Sequence, residues 1–152
     1  MAKSCSLTGS DVVKINNRIF NDLADGDAAT LSYPNDLAVV KTGKNGNAIY
    51  AKNETGNQAE LTIRVLRGSS DDRYLNNELN AANNDFSGYT LLNGEFIKKI
   101  GDGQGNITND TYLCTGGVPA RKVEAKSSAE GDTEQSVSTY VIRFAYCERT
   151  IG

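Results

Sequence analysis

The 152 residues suffice for one hydrophobic core of ordinary size, so a single domain spanning 1–152 is expected. With 38% hydrophobic and 23% charged residues, and no apolar run near the roughly 20 residues of a membrane helix, the composition fits a globular chain and offers no membrane span. A net charge of -3 disfavours, without excluding, the broad basic face that grips phosphate backbones, and the absence of histidine removes most acid–base, nucleophilic and zinc chemistry.

Met1 to Leu7 holds no apolar signal core, and the chain is expected to be made and used without the secretory route. A β meander follows. Apolar residues recur at nearly every second position in 11–15, 18–23, 28–33 and 37–41, and turn formers close each run at Asn16-Asn17, Ala24 to Asp27 and Tyr33 to Asp36. A strand at 48–52 comes next. Before it, Asn45-Gly46 fits a type I′ turn or a bulged tip, so a projecting hairpin is expected.

Residues 59–67 alternate, with Leu61, Ile63 and Val65 on one face and Glu60, Thr62 and Arg64 on the other, which predicts a strand buried on one side. Gly68 stops it. Ser69 or Ser70 then caps a helix over about 70–83 whose first turn carries Asp71 and Asp72, favourable at the positive end of the dipole. Tyr74, Leu75, Leu79 and Ala82 form its apolar side, and Asn83-Asn84 with Gly88 ends it.

Strands are expected over 89–100, 110–114, 118–126 and 136–148, with a Gly-rich loop at 101–106 and a charged turn at 127–135. In the last strand Tyr140, Ile142, Phe144 and Tyr146 should share one face, and Thr139, Val141, Arg143 and Ala145 the other. The class is mainly β with one helix.

Chemical motifs mostly dissolve. Cys5, Cys114 and Cys147 are odd in number and far apart, without a Cys-x-x-Cys, so ordinary thiols are expected rather than a disulfide framework or a metal site. The 101–106 loop lacks the Lys-Ser/Thr of a P-loop, and the twelfth position from Asp102 is Leu113 where an EF-hand needs Glu. Turn chemistry accounts for Asp22, Asp25, Asp27 and Asp36, although a two-carboxylate or Ser-Lys enzyme stays formally open. Asn53-Glu54-Thr55, Asn106-Ile107-Thr108 and Asn109-Asp110-Thr111 match glycosylation acceptors, and no modification is expected there. No catalytic residue, metal or cofactor is expected.

The order of Asp11 to Phe20, Asp22 to Asp27, Pro34-Asn35-Asp36, the Lys44 to Ala48 hairpin and Leu61 to Asp72 resembles the tail tube proteins of tailed bacteriophages, contractile-tailed ones in particular. The likeness covers most of the chain in pattern and is sharpest from 11 to 80. It implies a small antiparallel β-sandwich or barrel with a flanking helix, assembled as hexameric rings stacked into a hollow tube. It also implies a place in the virion tail after synthesis in the host bacterial cytoplasm, and a structural rather than enzymatic role. The implied partners are other copies of the chain, a sheath, a tape-measure protein, baseplate and tail-terminator proteins, and double-stranded DNA that passes without specific binding. Half-buried strands with free edges suit that assembly, because a closed ring removes the edges.

On this basis the subunit-interface candidates are Lys44, Asn45, Gly46, Asn47, Asn53, Glu54, Gly56 and Ile63, and the lumen candidates are Lys41, Lys52, Glu60, Thr62 and Arg64. The alternatives are another β-rich tail, head-completion or baseplate protein, a tube-forming protein of a bacterial secretion system, and a small hydrolase using the Asp22 to Asp36 carboxylates.

Overall fold

The computed structural model describes residues 6–7, 11–23, 28–101, 103–125 and 137–151. In chain order its elements are β1 (Ser6–Leu7), β2 (Val12–Ile15), β3 (Arg18–Ile19), β4 (Ala29–Ser32), β5 (Ala38–Thr42), β6 (Ala48–Lys52), a 3-10 turn at Glu54–Asn57, β7 (Ala59–Leu66), α1 (Ser70–Asn84), β8 (Leu92–Gly101), β9 (Ile107–Pro119) and β10 (Val137–Ile151). Eight strands make one antiparallel sheet in the order β3-β2-β8-β9-β10-β7-β4, with β1 on the far end of β8. The sheet curls into a half-barrel carrying the single helix. β5 and β6 form a separate two-stranded ribbon.

Local chemistry explains the joints. Asn16 and Asn17 both have positive φ, 51° and 65°, and Ile15 opposes Arg18, which is the two-residue turn that suits the twist of a hairpin. Asn16 also docks that turn on the start of β8, its Oδ1 accepting from the Asn93 N–H at 2.9 Å. At the start of α1, Ser69 Oγ accepts from the Asp72 N–H, and Asp72 in turn accepts from the Gly68 N–H at 2.8 Å.

The neighbouring Asp71 is nearly inaccessible. Its carboxylate takes the N–H groups of Asn21 and Asp22, each at 2.9 Å, together with the Arg18 guanidinium, and so ties the strand-poor stretch after β3 to the helix.

One core joins the large sheet to the helix. Leu61, Ile63 and Val65 of β7, Tyr140, Ile142 and Phe144 of β10, Val13 and Ile15 of β2, and Leu75 and Leu79 of α1 meet on the inner face. Each large side chain buried there stabilises by about 1.5–3 kcal/mol. The Tyr140 hydroxyl is satisfied by donating to Asp72, and burial followed by that bond raises its pKa well above the ordinary phenol value.

Several expectations need correction. The strand foreseen at 118–126 does not exist as such: β9 runs on from Cys114 to Pro119, and 120–125 is irregular. Gly116 and Gly117 fall between the strands expected at 110–114 and 118–126, yet they are strand glycines. Gly116 adopts a left-handed φ of 69° at a bulge against β8, and Gly117 with Gly94 leaves room for the Phe144 ring, which a Cβ on Gly94 would approach to 2.6 Å.

On β10 the alternation breaks after Phe144, so that Tyr146 is 45% exposed while Cys147 takes the core side. The run expected at 18–23 shrinks to Arg18–Ile19 plus a single bridge between Leu23 and Val65. β1 had no foreseen counterpart.

The cysteines differ as well. Cys114 and Cys147 are directly opposed on β9 and β10 and are joined as a disulfide, with Cα atoms 4.1 Å apart. Positions far apart in sequence are brought opposite by register, which spacing alone does not show. Cys5, Asp25, Asp27 and the charged turn at 127–135 lie outside the described residues.

Candidate assembly surface

The β5–β6 ribbon stands away from the sheet, and every residue of both strands is exposed. Val40 opposes Tyr50, Lys41 opposes Ile49 and Val39 opposes Ala51. Because successive side chains alternate, Val40 and Tyr50 share one face while Val39 and Ile49 share the other. Tyr50 is 76% exposed and Ile49 73%. A lone two-stranded hairpin is marginal in water, and this one shows apolar residues on both faces without an element of the described chain covering them.

The ribbon is nevertheless held firmly at its root. The Asn53 N–H donates to the Leu37 carbonyl at 2.8 Å, and Asn53 Oδ1 accepts from the Thr55 hydroxyl at 2.8 Å, capping the 3-10 turn. Gly56 is buried where a Cβ would sit 2.7 Å from the Asp36 carbonyl oxygen, so only glycine lets this turn lie on the 36–37 backbone. At the tip, the Gly46 N–H donates to the Gly43 carbonyl and Gly46 has φ 83°. Asn45 is not left-handed, so the tip is the bulged form rather than type I′.

These details place the interface candidates in three settings. Lys44, Asn45, Gly46 and Asn47 form the exposed tip, while Asn53, Glu54 and Gly56 belong to the root. Ile63 is 0% exposed in the core, paired with Ala29 on one side and Tyr140 on the other, so its side chain meets its own chain.

The lumen candidates also divide. Lys41 and Lys52 sit on opposite faces of the ribbon, and Lys52 lies 3.8 Å from Glu54. Glu60, Thr62 and Arg64 stand on the sheet face turned from the core, half-buried, with Glu60 3.3 Å from Arg143 of β10. On that face Lys14 also opposes Glu95, so both signs alternate across it.

The sheet also leaves a free edge along the end of β10. β7 pairs with β10 only as far as Phe144, and beyond it β10 runs on against β9 alone. That extension is secured from within: Arg149 grips Asp110 through two bonds of 2.8 Å and lies over the Tyr112 ring. The hydrogen bonds from Arg149 hold the Asp110 carboxyl below the ordinary carboxylate range, against the opposing effect of burial.

Asp22 lies beside the Leu66 end of β7, where its carbonyl accepts from the Leu66 N–H, and Asp36 lies beside the other end, against Gly56. The length of β7 therefore separates these two carboxylates, and the acid pair that a hydrolase would need is not formed by them. The 101–106 stretch is the connection between β8 and β9.

No model of a protein family matches this sequence, and no curated protein matches it. A solved structure does. It is a chain of the sheath-tube complex, in the extended state, of the extracellular contractile injection system PVC, with TM-score 0.61, 10% identity, and coverage of 93% of this chain and 88% of that one. The two chains share a fold. The half-barrel with one helix is thus a solved architecture of such particles, reached here by a sequence with little residue-level similarity.

The apolar ribbon residues Leu37, Val39, Val40, Ile49 and Tyr50 were not among the expected contacts, and neither was the β10 extension. The signal was present as Val39-Val40 and Ile49-Tyr50. Adjacent apolar residues on both strands of a short hairpin put apolar side chains on both of its faces, which is the sequence mark of such a ribbon.

Proposed function

We propose that this chain is the structural subunit of a tube, assembling with copies of itself into stacked hexameric rings within a contractile tail or a related injection particle. The observation that carries the reading is the β5–β6 ribbon, rooted rigidly by Gly56 and Asn53 yet exposed on both faces. A ribbon of this kind is stable when neighbouring subunits bury it, and the shared fold with a chain of a sheath-tube complex supports that context. In this reading the hairpin tip and root contact the next subunit, free strand edges pair around the ring, and a sheath surrounds the tube. Baseplate, tail-terminator and tape-measure proteins are its further partners.

The sheet face bearing Glu60, Thr62 and Arg64 would line the lumen. Its charges alternate and pair, as Glu60 does with Arg143, so double-stranded DNA or another cargo passes without the salt-sensitive retention that a basic stripe would impose. Negative-stain microscopy and sedimentation of the purified chain test the reading: uniform tubes or rings that grow with concentration are expected, and monomer alone over a wide range of concentration and salt would overturn it.

A second reading is favoured by the particle to which the structural neighbour belongs: the tube of an injection system rather than of a phage tail. Nuclease-protected DNA inside purified particles selects the phage tail, and its absence selects the injection particle.

A further inference from the structure

We infer that Cys114 and Cys147 form a conditional cross-link, a dithiol while the chain is made in a reducing compartment and a disulfide once the particle meets peroxide outside the cell. The register places the two residues directly opposite each other, and each is 4% exposed. They sit just past Phe144, where β10 loses β7 and depends on β9 alone. A covalent bond at this point fixes the register of the extension that Arg149 and Asp110 continue.

Burial determines the reagent. A sulfur this buried is out of reach of a protein oxidoreductase, and hydrogen peroxide, being small, meets its thiolate only when the strand pair opens locally, so the reaction is slow. One thiolate attacks a peroxide oxygen, the O–O bond breaks, and a sulfenic acid and hydroxide result. The second thiol attacks the sulfenic sulfur, the S–O bond breaks, and its proton leaves with the departing oxygen. Two thiols and one hydrogen peroxide thereby give one disulfide and two waters.

The timing rests on the proposed function outside the cell, but the chemistry belongs to the chain alone, so the two fail separately. A Cys5→Ser variant leaves only this pair to count. Lysis of producing cells directly into denaturant with excess N-ethylmaleimide should label two cysteines per chain, and folded protein treated with hydrogen peroxide before denaturation should label none. Dithiothreitol should restore both labels on the folded protein, while thioredoxin with its reductase should restore neither in the same time. Peptide mapping of the peroxide-treated wild type should recover a cross-linked peptide containing Cys114 and Cys147.

An unlabelled pair in the freshly lysed sample would overturn the conditional character, because the bond would then already exist at synthesis. Two labels surviving peroxide would overturn the cross-link itself. Equal reduction by thioredoxin and dithiothreitol would overturn the protection assigned to burial. Failure to form tubes, with these label counts intact, would refute only the assembly reading.

Discussion

Replacing Tyr50 by Ser separates assembly from folding. Tyr50 is 76% exposed, on a ribbon remote from the core. That leaves about 150 Å² of side chain for a neighbour to cover, which at roughly 25 cal/mol per Å² is up to about 4 kcal/mol per contact. Even half of this weakens each contact by about 30-fold, and a ring multiplies the effect by its number of contacts. The subunit itself should lose only the cross-strand pairing with Val40, about 0.2–1 kcal/mol.

Sedimentation velocity across a concentration series should therefore show Tyr50→Ser as monomer where wild type assembles, while urea unfolding of the dissociated subunits shifts little. Assembly of the variant at wild-type concentrations would refute burial of this face. Strong destabilisation of the isolated subunit would show instead that the ribbon packs on its own sheet.

Gly56→Ala should destabilise the subunit by about 1–3 kcal/mol, because its Cβ meets the backbone at Asp36 and Leu37 rather than a movable side chain, and urea unfolding checks this. Gly46→Val has open space around it but a left-handed φ of 83°, so a loss of about 1–2 kcal/mol without a steric clash is expected, read by the same titration. Asp110 has a depressed folded pKa, so its contribution is full above the unfolded value near pH 4 and disappears as pH falls through the folded value. The urea midpoint of Asp110→Asn should accordingly lie below that of wild type at pH 7, and the gap should narrow at pH 3; a constant gap would contradict the ion pair.

Legibility in the sequence followed local chemistry. Strict alternation in Ala59–Leu66, the Ser69 cap, the Asn16-Asn17 turn and the Asn45-Gly46 hairpin each had a short-range cause and could be placed from residues alone. Long-range causes were hidden. Gly116 and Gly117 fall between two expected strands because nothing nearby in sequence announces the Phe144 ring that occupies the space Gly117 leaves. The break in alternation that turns Tyr146 outward has no local signal either, and cross-strand register alone brought Cys114 to Cys147. Ile63 was taken for an interface residue because free strand edges are visible in a pattern, whereas the partners that cover β7 on both sides are not. The exposed ribbon was located correctly, but the apolar side chains on its two faces were not singled out beside its polar tip.

The sheet order sets β3 at one margin and β4 at the other, although they are successive in the chain. Pulling the β3 margin sideways can reach β7, next to the other margin, through the hydrogen-bonded ladders or through the backbone from Ile19 to Leu23, which bridges to Val65. Ladders yield one bond at a time under transverse load, whereas a peptide backbone does not stretch. Asp71 holds the near part of this route by the N–H groups of Asn21 and Asp22, so that stretch serves as a tendon anchored at its origin. The half-barrel is therefore braced against being flattened, a mechanical stiffness that does not depend on the size of its core.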